Sequence, residues 1–526
     1  MKSRNTTKSI LQSWQSSHVI LTFESLLTGI LTGLVITLFR RLISSVSSLR
    51  NSFYEKINVD NLLLILPAVT AAVILGLIIG YLIKKYPVIK GSGVSQIKGN
   101  FMNKLDLLPW PELPLKFLGG IINIGAGLSV GREGPSVQMG AYVGSAVERI
   151  GKRSHLEKLC LITSGAAAGL AAAFGAPFAG IIFAVEDLHQ YLSPLLLTCV
   201  MIGAFAGDFV ASYFFHPGAE FNFKNIRLFP LNYFGYLIIL GVITAIIGHI
   251  FKNSIYKSQS LYSKLNIPLR LRPVIPFIVS VPVCIFLPLA ASGGDYLIEV
   301  LAEKTFSVKM LLIILTVKII FTGISAGSGA IGGIFVPLLA CGALTGVLFS
   351  RILIFCNLIE QSYTINIMIF AMAGFFTTVI KAPLTAIILL LEISGNLFHL
   401  GGLVITVLSS YMTANFMRSP ANDEVLLKQI LNDKDISDTK DSASDSRKEL
   451  FEISINPESY LDGRLISEVI WPVNFLIVSI ARGEEEIIPD GRTKLAAGDR
   501  LIILTESKHI KEYVSEINAL ANIEAE

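Results

Sequence analysis

The sequence predicts an all-α polytopic membrane protein with a small α/β domain at its C-terminal end. Three observations carry this. The 526 residues are 52% hydrophobic and 16% charged, with a mean hydropathy of +0.64, too apolar for a soluble chain of this size. Apolar runs at 62–83, 237–250 with its flanks, and 310–324 approach the ~20 residues that carry a helix across a bilayer. Finally, the Gly and Pro residues that interrupt the apolar sequence recur at a fixed shift in the second half.

The remaining composition excludes more than it suggests. A formal charge of +4 gives no reason to expect a nucleic-acid partner. Cys160, Cys199, Cys284, Cys341 and Cys356 stand singly in apolar segments and read as small buried hydrophobes, not as a metal or disulfide set. The apolar run that begins near Val19 is too long for a cleavable leader.

Residues 1–18 are polar and basic, with Lys2, Arg4 and Lys8, and suit a cytoplasmic face. Residues 19–39 form a first span, closed by Arg40 and Arg41, and 61–83 a second, meeting Lys84 and Lys85. GSGVSQIKG (91–99) follows, a serine flanked by glycines. Residues 113–129 lead into GAGLSVGREGPSVQMGAYVG (125–144). Apolar helices are expected at 156–174, 178–189 and 193–215, before a polar link with His216, Pro217 and Asn222.

The second half, 230–417, repeats the first, 19–215. A shift of 202 carries Gly125, Gly127, Gly131, Pro135, Gly140 and Gly144 onto Gly327, Gly329, Gly333, Pro337, Gly342 and Gly346. A shift of 206 carries GAPFAGIIFAVE (175–186) onto KAPLTAIILLLE (381–392), with Glu186 on Glu392. Repeats with broken helices mark transporters that bind their cargo at the bilayer midplane. The shift by itself leaves the relative orientation of the halves open. Residues 418–449 are polar and read as a linker. In 450–526, LFEISI, NFLIVSIAR and RLIILTE suit strands, and SKHIKEYVSEINALANI has helical spacing. The Glu484–Glu486 run reads as a solvated turn.

The chemistry concentrates at GREGP. Glu133 and Arg132 sit among glycines inside an apolar stretch, and an ionisable residue at membrane depth is a candidate functional group. Pro135 fits the first turn of a helix, which places Glu133 at a positive helix end. The rival reading is an acid that only complements the helix dipole. GSGVS (91–95) and GGIFVP (332–337) are two further breaks that can start helices. Helix starts offer free N–H groups to anions. Each contributes only ~0.3–2 kcal/mol, so several must converge to offset dehydration of an ion. A site without whole cations also releases what it binds.

In this order and setting, GSG, GREGP and GGIFVP resemble the CLC family of chloride channels and chloride–proton exchangers, over 19–417. The resemblance implies about 18 helices in an inverted repeat, a homodimer, and one ion pathway per subunit for chloride and protons. It implies that Ser92 Oγ and the backbone N–H groups of Ile334 and Phe335 hold a central anion, with Gly91, Gly93, Gly131, Gly134 and Pro135 shaping the breaks. Glu133 becomes the gating glutamate. Asp187, in FAVEDLHQ, takes the place of the inner proton acceptor, often Glu in exchangers. Lys116 matches a lysine near that acid and is a candidate partner for Asp187. Rival readings are a Ser92 hydroxyl capping its own helix, a solvated Asp187, and a snorkelling Lys116. Arg132 is expected to be structural, paired with backbone carbonyls, and Glu186 to serve the scaffold.

Two positions depart from the family. Ser95 stands where Pro is usual, and Leu397, after EISGN, stands at the place expected for a tyrosine ligand of the anion. The C-terminal segment resembles RCK-C (TrkA-C) domains, which implies a cytoplasmic module that dimerises or senses a small ligand. H+/Cl− exchange is the leading reading. A passive Glu133-gated channel and an exchanger of another halide, such as fluoride, are the alternatives. No HExxH, nucleophile–His pair or P-loop points to an enzyme, His189 beside Asp187 lacks a third metal ligand, and no cofactor is implied. The expected setting is multi-pass in a prokaryotic plasma membrane, both termini cytoplasmic.

Overall fold

The computed structural model describes residues 2–423, 425–427, 430, 448–506 and 517, apart from 58, 103, 152, 154, 190–192, 216–220, 222, 224–226, 457–458, 470, 472–474 and 483–484; for 2–18 it describes the backbone alone. The polar link around His216, Pro217 and Asn222, most of the 418–449 linker and the helix expected at 507–523 therefore lie outside the described residues. Two compact units appear, Met1–Leu431 and Asn432–Glu526.

Sixteen α-helices are described in the first unit, against the 18 or so that the resemblance implies: α1 Lys2–Tyr54, α2 Ile65–Lys85, α3 Val94–Phe101, α4 Pro109–Gly125, α5 Glu133–Gly151, α6 His155–Phe174, α7 Pro177–Phe183, α8 Pro194–Phe215, α9 Phe234–Lys264, α10 Val274–Phe286, α11 Asp295–Glu303, α12 Val308–Gly327, α13 Phe335–Phe355, α14 Thr364–Ile380, α15 Pro383–Ser394 and α16 Leu400–Phe416. Among the described residues, nine helices are long and apolar enough to cross a membrane. Their ends follow local chemistry. Lys84 and Lys85 complement the C-terminal dipole of α2. Pro177 and Pro383 open α7 and α15 at the position where a missing N–H costs nothing. Ser307 caps α12 by accepting from Met310 N.

One boundary differs from expectation. Arg40 and Arg41 do not close the first span, because α1 runs on to Tyr54. Arg40 is satisfied within the protein: its guanidinium donates to Ala172 O at 2.9 Å and lies over the Phe215 ring. A guanidinium solvated in this way by the protein does not need to reach water, so it does not end a span.

Small residues build the centre. α5 crosses α6 where Gly140 and Gly165 each face the other's carbonyl, leaving no room for a Cβ. At the equivalent place in the second half, α13 meets α14 through Gly342 and Gly346 against Met372 and Met368. This is the close packing expected of helices in lipid, and it explains why these glycines recur at shift 202. α6, α13 and α14 are largely buried, while α1, α2, α8, α9 and α16 surround them and expose large apolar side chains such as Leu66, Phe209 and Phe416. A surface of this kind suits acyl chains, not water. Four of the cysteines are buried as expected; Cys356 is exposed, just past the end of α13.

Reciprocal contacts show that the halves are inverted. Glu186, at the far end of the α7 segment, accepts from Leu384 N and Thr385 N at the start of α15 (3.0 and 2.7 Å). Glu392, at the far end of α15, accepts from Phe178 N and Ala179 N at the start of α7 (3.0 and 2.6 Å). Each acid caps the other's helix, so the two elements run antiparallel about a local two-fold axis. The scaffold role expected of Glu186 is what these bonds perform.

In the second unit, strands β1 Lys448–Ser454, β2 Phe475–Arg482, β3 Glu485–Ile487 and β4 Arg500–Glu506 form an antiparallel sheet in the order β1-β4-β2-β3. Ile453, Ile480, Leu501 and Ile503 point to its core. Part of the acidic run expected as a turn is β3: Glu485 and Glu486 pair with Arg482 and Ala481 at a sheet edge.

Candidate functional site

Three interrupted helices meet inside the first unit. The chain before α3 turns at Gly91 and Gly93, with φ of +66° and +97°, a backbone that side chains rarely adopt. The loops are stitched to one another. Gly131 N donates to Gly333 O at 2.7 Å, Gly333 N to Gly131 O at 2.8 Å, and Gly332 N to Gly91 O at 3.1 Å. Gly131 and Gly333 are repeat equivalents, so their two-bond bridge straddles the two-fold axis. A Cβ on Gly134 would lie 2.8 Å from Ser92 Cβ and 3.0 Å from Gly333 Cα. Ser92, Glu133–Gly134 and Gly333–Ile334 are thus brought together, with the starts of α3, α5 and α13 at one place.

The side chains can be placed in turn. Glu133, the first residue of α5, has no exposed surface. Its Oε1 is 3.7 Å from Arg132 Nε, and Arg132 Nη2 is 3.7 Å from Asp295 Oδ1 at the head of α11. Arg132 therefore reaches two carboxylates. Asp295 was not among the sequence candidates; its signal was an acid following SGG, a fourth glycine-marked helix start. Pro135 is buried in the first turn of α5. Ser92 Oγ accepts from Val94 N at 3.4 Å, so the hydroxyl stands at the mouth of its own helix. Ile334 caps α13, and Phe335 opens it with a buried ring that meets Phe183 and Phe376 edge-on or tilted, at 5.6 and 5.3 Å. The N–H groups of such first residues have no partner within the helix.

Lys116 is fully buried and donates to Ile89 O and Gly91 O at 2.9 and 2.7 Å. It braces the carbonyl side of the Ser92 loop. It does not pair with Asp187 as the resemblance suggested, because these carbonyls already occupy its ammonium. Lys318, its equivalent at shift 202, donates to Ala290 O and Ser292 O ahead of α11. Asp187 lies on the π-helical turn 184–189 that continues α7. Its partner is Lys98 of α3, with Nζ at 2.7 Å from Oδ1. Asp187 is buried, not a solvated acid.

This arrangement offers positive helix ends to an anion and a buried acid to compete for them. Over 75–415, the chain matches the family model described as voltage gated chloride channel.

The chain belongs to the voltage-gated chloride channel (CLC) family.

Residues 450–518 match the TrkA-C domain. The H(+)/Cl(−) exchange transporter ClcA of Yersinia pseudotuberculosis is 33% identical over 411 residues, covering 76% of this chain and 85% of the relative. Among solved structures, a slow cyanobacterial Cl−/H+ antiporter superposes with a TM-score of 0.75 at 26% identity, covering 79% of this chain and 99% of its own. A CLC-type fluoride/proton antiporter shares the fold with a TM-score of 0.62 at 23% identity, covering 75% and 95%. Membership of this family and the nine apolar spans make the chain a multi-pass membrane protein.

Within this CLC frame, Leu397 needs correction. It is 79% exposed on the short turn 397–399 before α16, and Phe398 beside it is 76% exposed. Neither side chain is buried against the starts of α3, α5 and α13. The start of the expected linker behaves differently. Ser419, Asn422 and Asp423 are buried, Pro420 O accepts from Lys252, and Asp423 O accepts from Ser95 Oγ at 3.1 Å. Ser95 thus has a use at the place where the family usually carries Pro: it fastens this segment to α3.

Proposed function

We propose that this CLC protein exchanges chloride for protons. Ser92 Oγ and the N–H groups of Ile334 and Phe335 hold the dehydrated anion, supported by the partial positive ends of α3 and α13. The Glu133 carboxylate competes for the N–H groups at the head of α5. Charged, it occupies an outer anion position; protonated, it loses its claim on those groups and leaves the path to the anion. Asp187 receives protons from the other side and passes them towards Glu133. One observation carries this reading: a fully buried glutamate heads a helix where two further helix starts and a serine meet it.

The relatives named as H+/Cl− exchangers support the choice of exchange over passive conduction. The same reading makes the protein a homodimer with one pathway per subunit, in a prokaryotic plasma membrane with both termini cytoplasmic. The TrkA-C segment is then a regulatory module for an unidentified small ligand. The decisive experiment uses purified protein in chloride-loaded liposomes. Under an imposed chloride gradient, protons move uphill and the internal pH changes. Chloride flux without proton movement removes exchange in favour of a channel.

A further inference from the structure

Asp187 is held from one side only. Its Oδ1 accepts from Lys98 Nζ at 2.7 Å, with both side chains more than nine-tenths buried. Its second oxygen, Oδ2, is buried with no hydrogen-bond partner among the described residues. A buried ion pair is a weak source of stability, because dehydrating two charges offsets their attraction. Nor does the scaffold demand this one. Shift 202 places Val300 opposite Lys98, and shift 206 places Ile393 opposite Asp187.

Lys98 sits on the eight-residue helix that follows Ser92. That helix is fastened along its length. Gln96 Nε2 donates to Lys90 O at 2.8 Å, Ser95 Oγ to Asp423 O, and the Phe101 ring lies edge-on to His189 at 5.3 Å. α3 is therefore one stiff piece, ~12 Å long, joining the serine of the anion site to the inner acid.

We propose that Lys98 is the positioning residue for proton transfer. It holds Asp187 by Oδ1, so that Oδ2 takes the proton, and it links the charge of that acid to the helix that begins at Ser92. A hydronium ion on the inner side gives its proton to Oδ2: its O–H bond breaks, the Oδ2–H bond forms, and water is left. The pair then changes from neutral to a net charge of +1 carried by Lys98, which draws an anion towards the start of α3. Among the described residues, the other charged groups acting on Asp187 are Asp423 from the segment beyond α16 and Glu186 on its own turn, which also carries His189.

This inference rests on the exchange reading, and the test separates the two. Proton-to-chloride ratios are measured in liposomes across a pH series for the parent, Lys98→Met and Lys98→Arg. The parent couples; Lys98→Met loses most of its uphill proton movement and moves the pH profile of what remains towards alkaline pH by about one unit, while chloride flux persists; Lys98→Arg restores both ratio and profile. A Lys98→Met protein with parental ratio and profile overturns the positioning role alone, as does a Lys98→Arg protein that restores neither. A parent that moves no protons overturns both readings. If Lys98→Met does not give folded protein, Lys98→Gln is judged against Lys98→Arg by the same two criteria.

Discussion

The two halves of the membrane unit share one scaffold and differ in what they place on it. Lys116 and Lys318 brace equivalent carbonyl loops. Glu186 and Glu392 cap each other's helices. Gly131 and Gly333 form one shared bridge. Where the halves diverge, the proposed chemistry begins. Shift 202 sets Arg132 and Glu133 against Ile334 and Phe335, and shift 206 sets Asp187 against Ile393. A duplicated framework needs its paired residues twice. The proposed pathway, which crosses the two-fold axis, needs its acid once.

The largest effect is expected where the symmetry is broken. Glu133→Gln keeps the size of the side chain and removes its proton chemistry; uphill proton movement in liposomes should fall about a hundredfold or more, with chloride flux remaining. Retained pumping would show that the difference between Glu133 and Phe335 is not functional.

The next effect sharpens the symmetry itself. Gly140→Val and Gly342→Val each push a side chain into backbone at an equivalent crossing. Overpacking of this kind costs about 1–3 kcal/mol, and the two variants should lose similar thermal stability in detergent. A large loss in one half only would mean that the halves are not mechanically equivalent.

Glu186→Gln and Glu392→Gln should then match one another, each costing about 1–3 kcal/mol as charge-assisted bonds to backbone N–H groups weaken. Asp187→Asn, one residue from Glu186, should stop proton movement with a smaller change in melting temperature. Equal transport defects in Glu186→Gln and Asp187→Asn would erase the distinction between scaffold and proton acid.

The smallest expected effect lies outside both halves, as a control. In the C-terminal sheet, burial alone would raise the pKa of Asp499. Hydrogen bonds from Arg482 and Ala496 N–H, and the Arg482 charge, outweigh it and hold the carboxyl below its ordinary value. The stability it contributes is therefore complete above the unfolded pKa of about 3.9 and fades as pH falls through the lower folded value. Asp499→Asn should lower the unfolding temperature of this unit modestly at pH 7 and make it less sensitive to acid below pH 4, as followed by circular dichroism.

Much of this was legible in the chain because glycine and proline punctuation is a local signal. The breaks at GSG, GREGP and GGIFVP and the two repeat shifts could be read without coordinates, and so could the strand pattern LFEISI, NFLIVSIAR and RLIILTE. Pairings between distant charges were not legible. Lys98 and Asp187 are 89 residues apart, and only the fold lays α3 beside the π-helical turn. Lys116 looked like the natural partner because sequence reveals a charge but not the carbonyls that satisfy it. Arg40 misled for the same reason, since Ala172 O and the Phe215 ring come from other helices. Ser419–Asp423 was read as linker on composition, although its polar groups find partners on α3 and α9.

The two braced loops bear on which sign of charge can pass. Clustered backbone oxygens are the means by which pores strip water from potassium and sodium. Here those oxygens, at Ile89, Gly91, Ala290 and Ser292, already carry lysine ammonium groups. A metal cation arriving at either loop meets a resident positive charge and carbonyl oxygens already engaged by it. On the proposed reading, two fixed side chains that never touch the carried ion thus discriminate against cations.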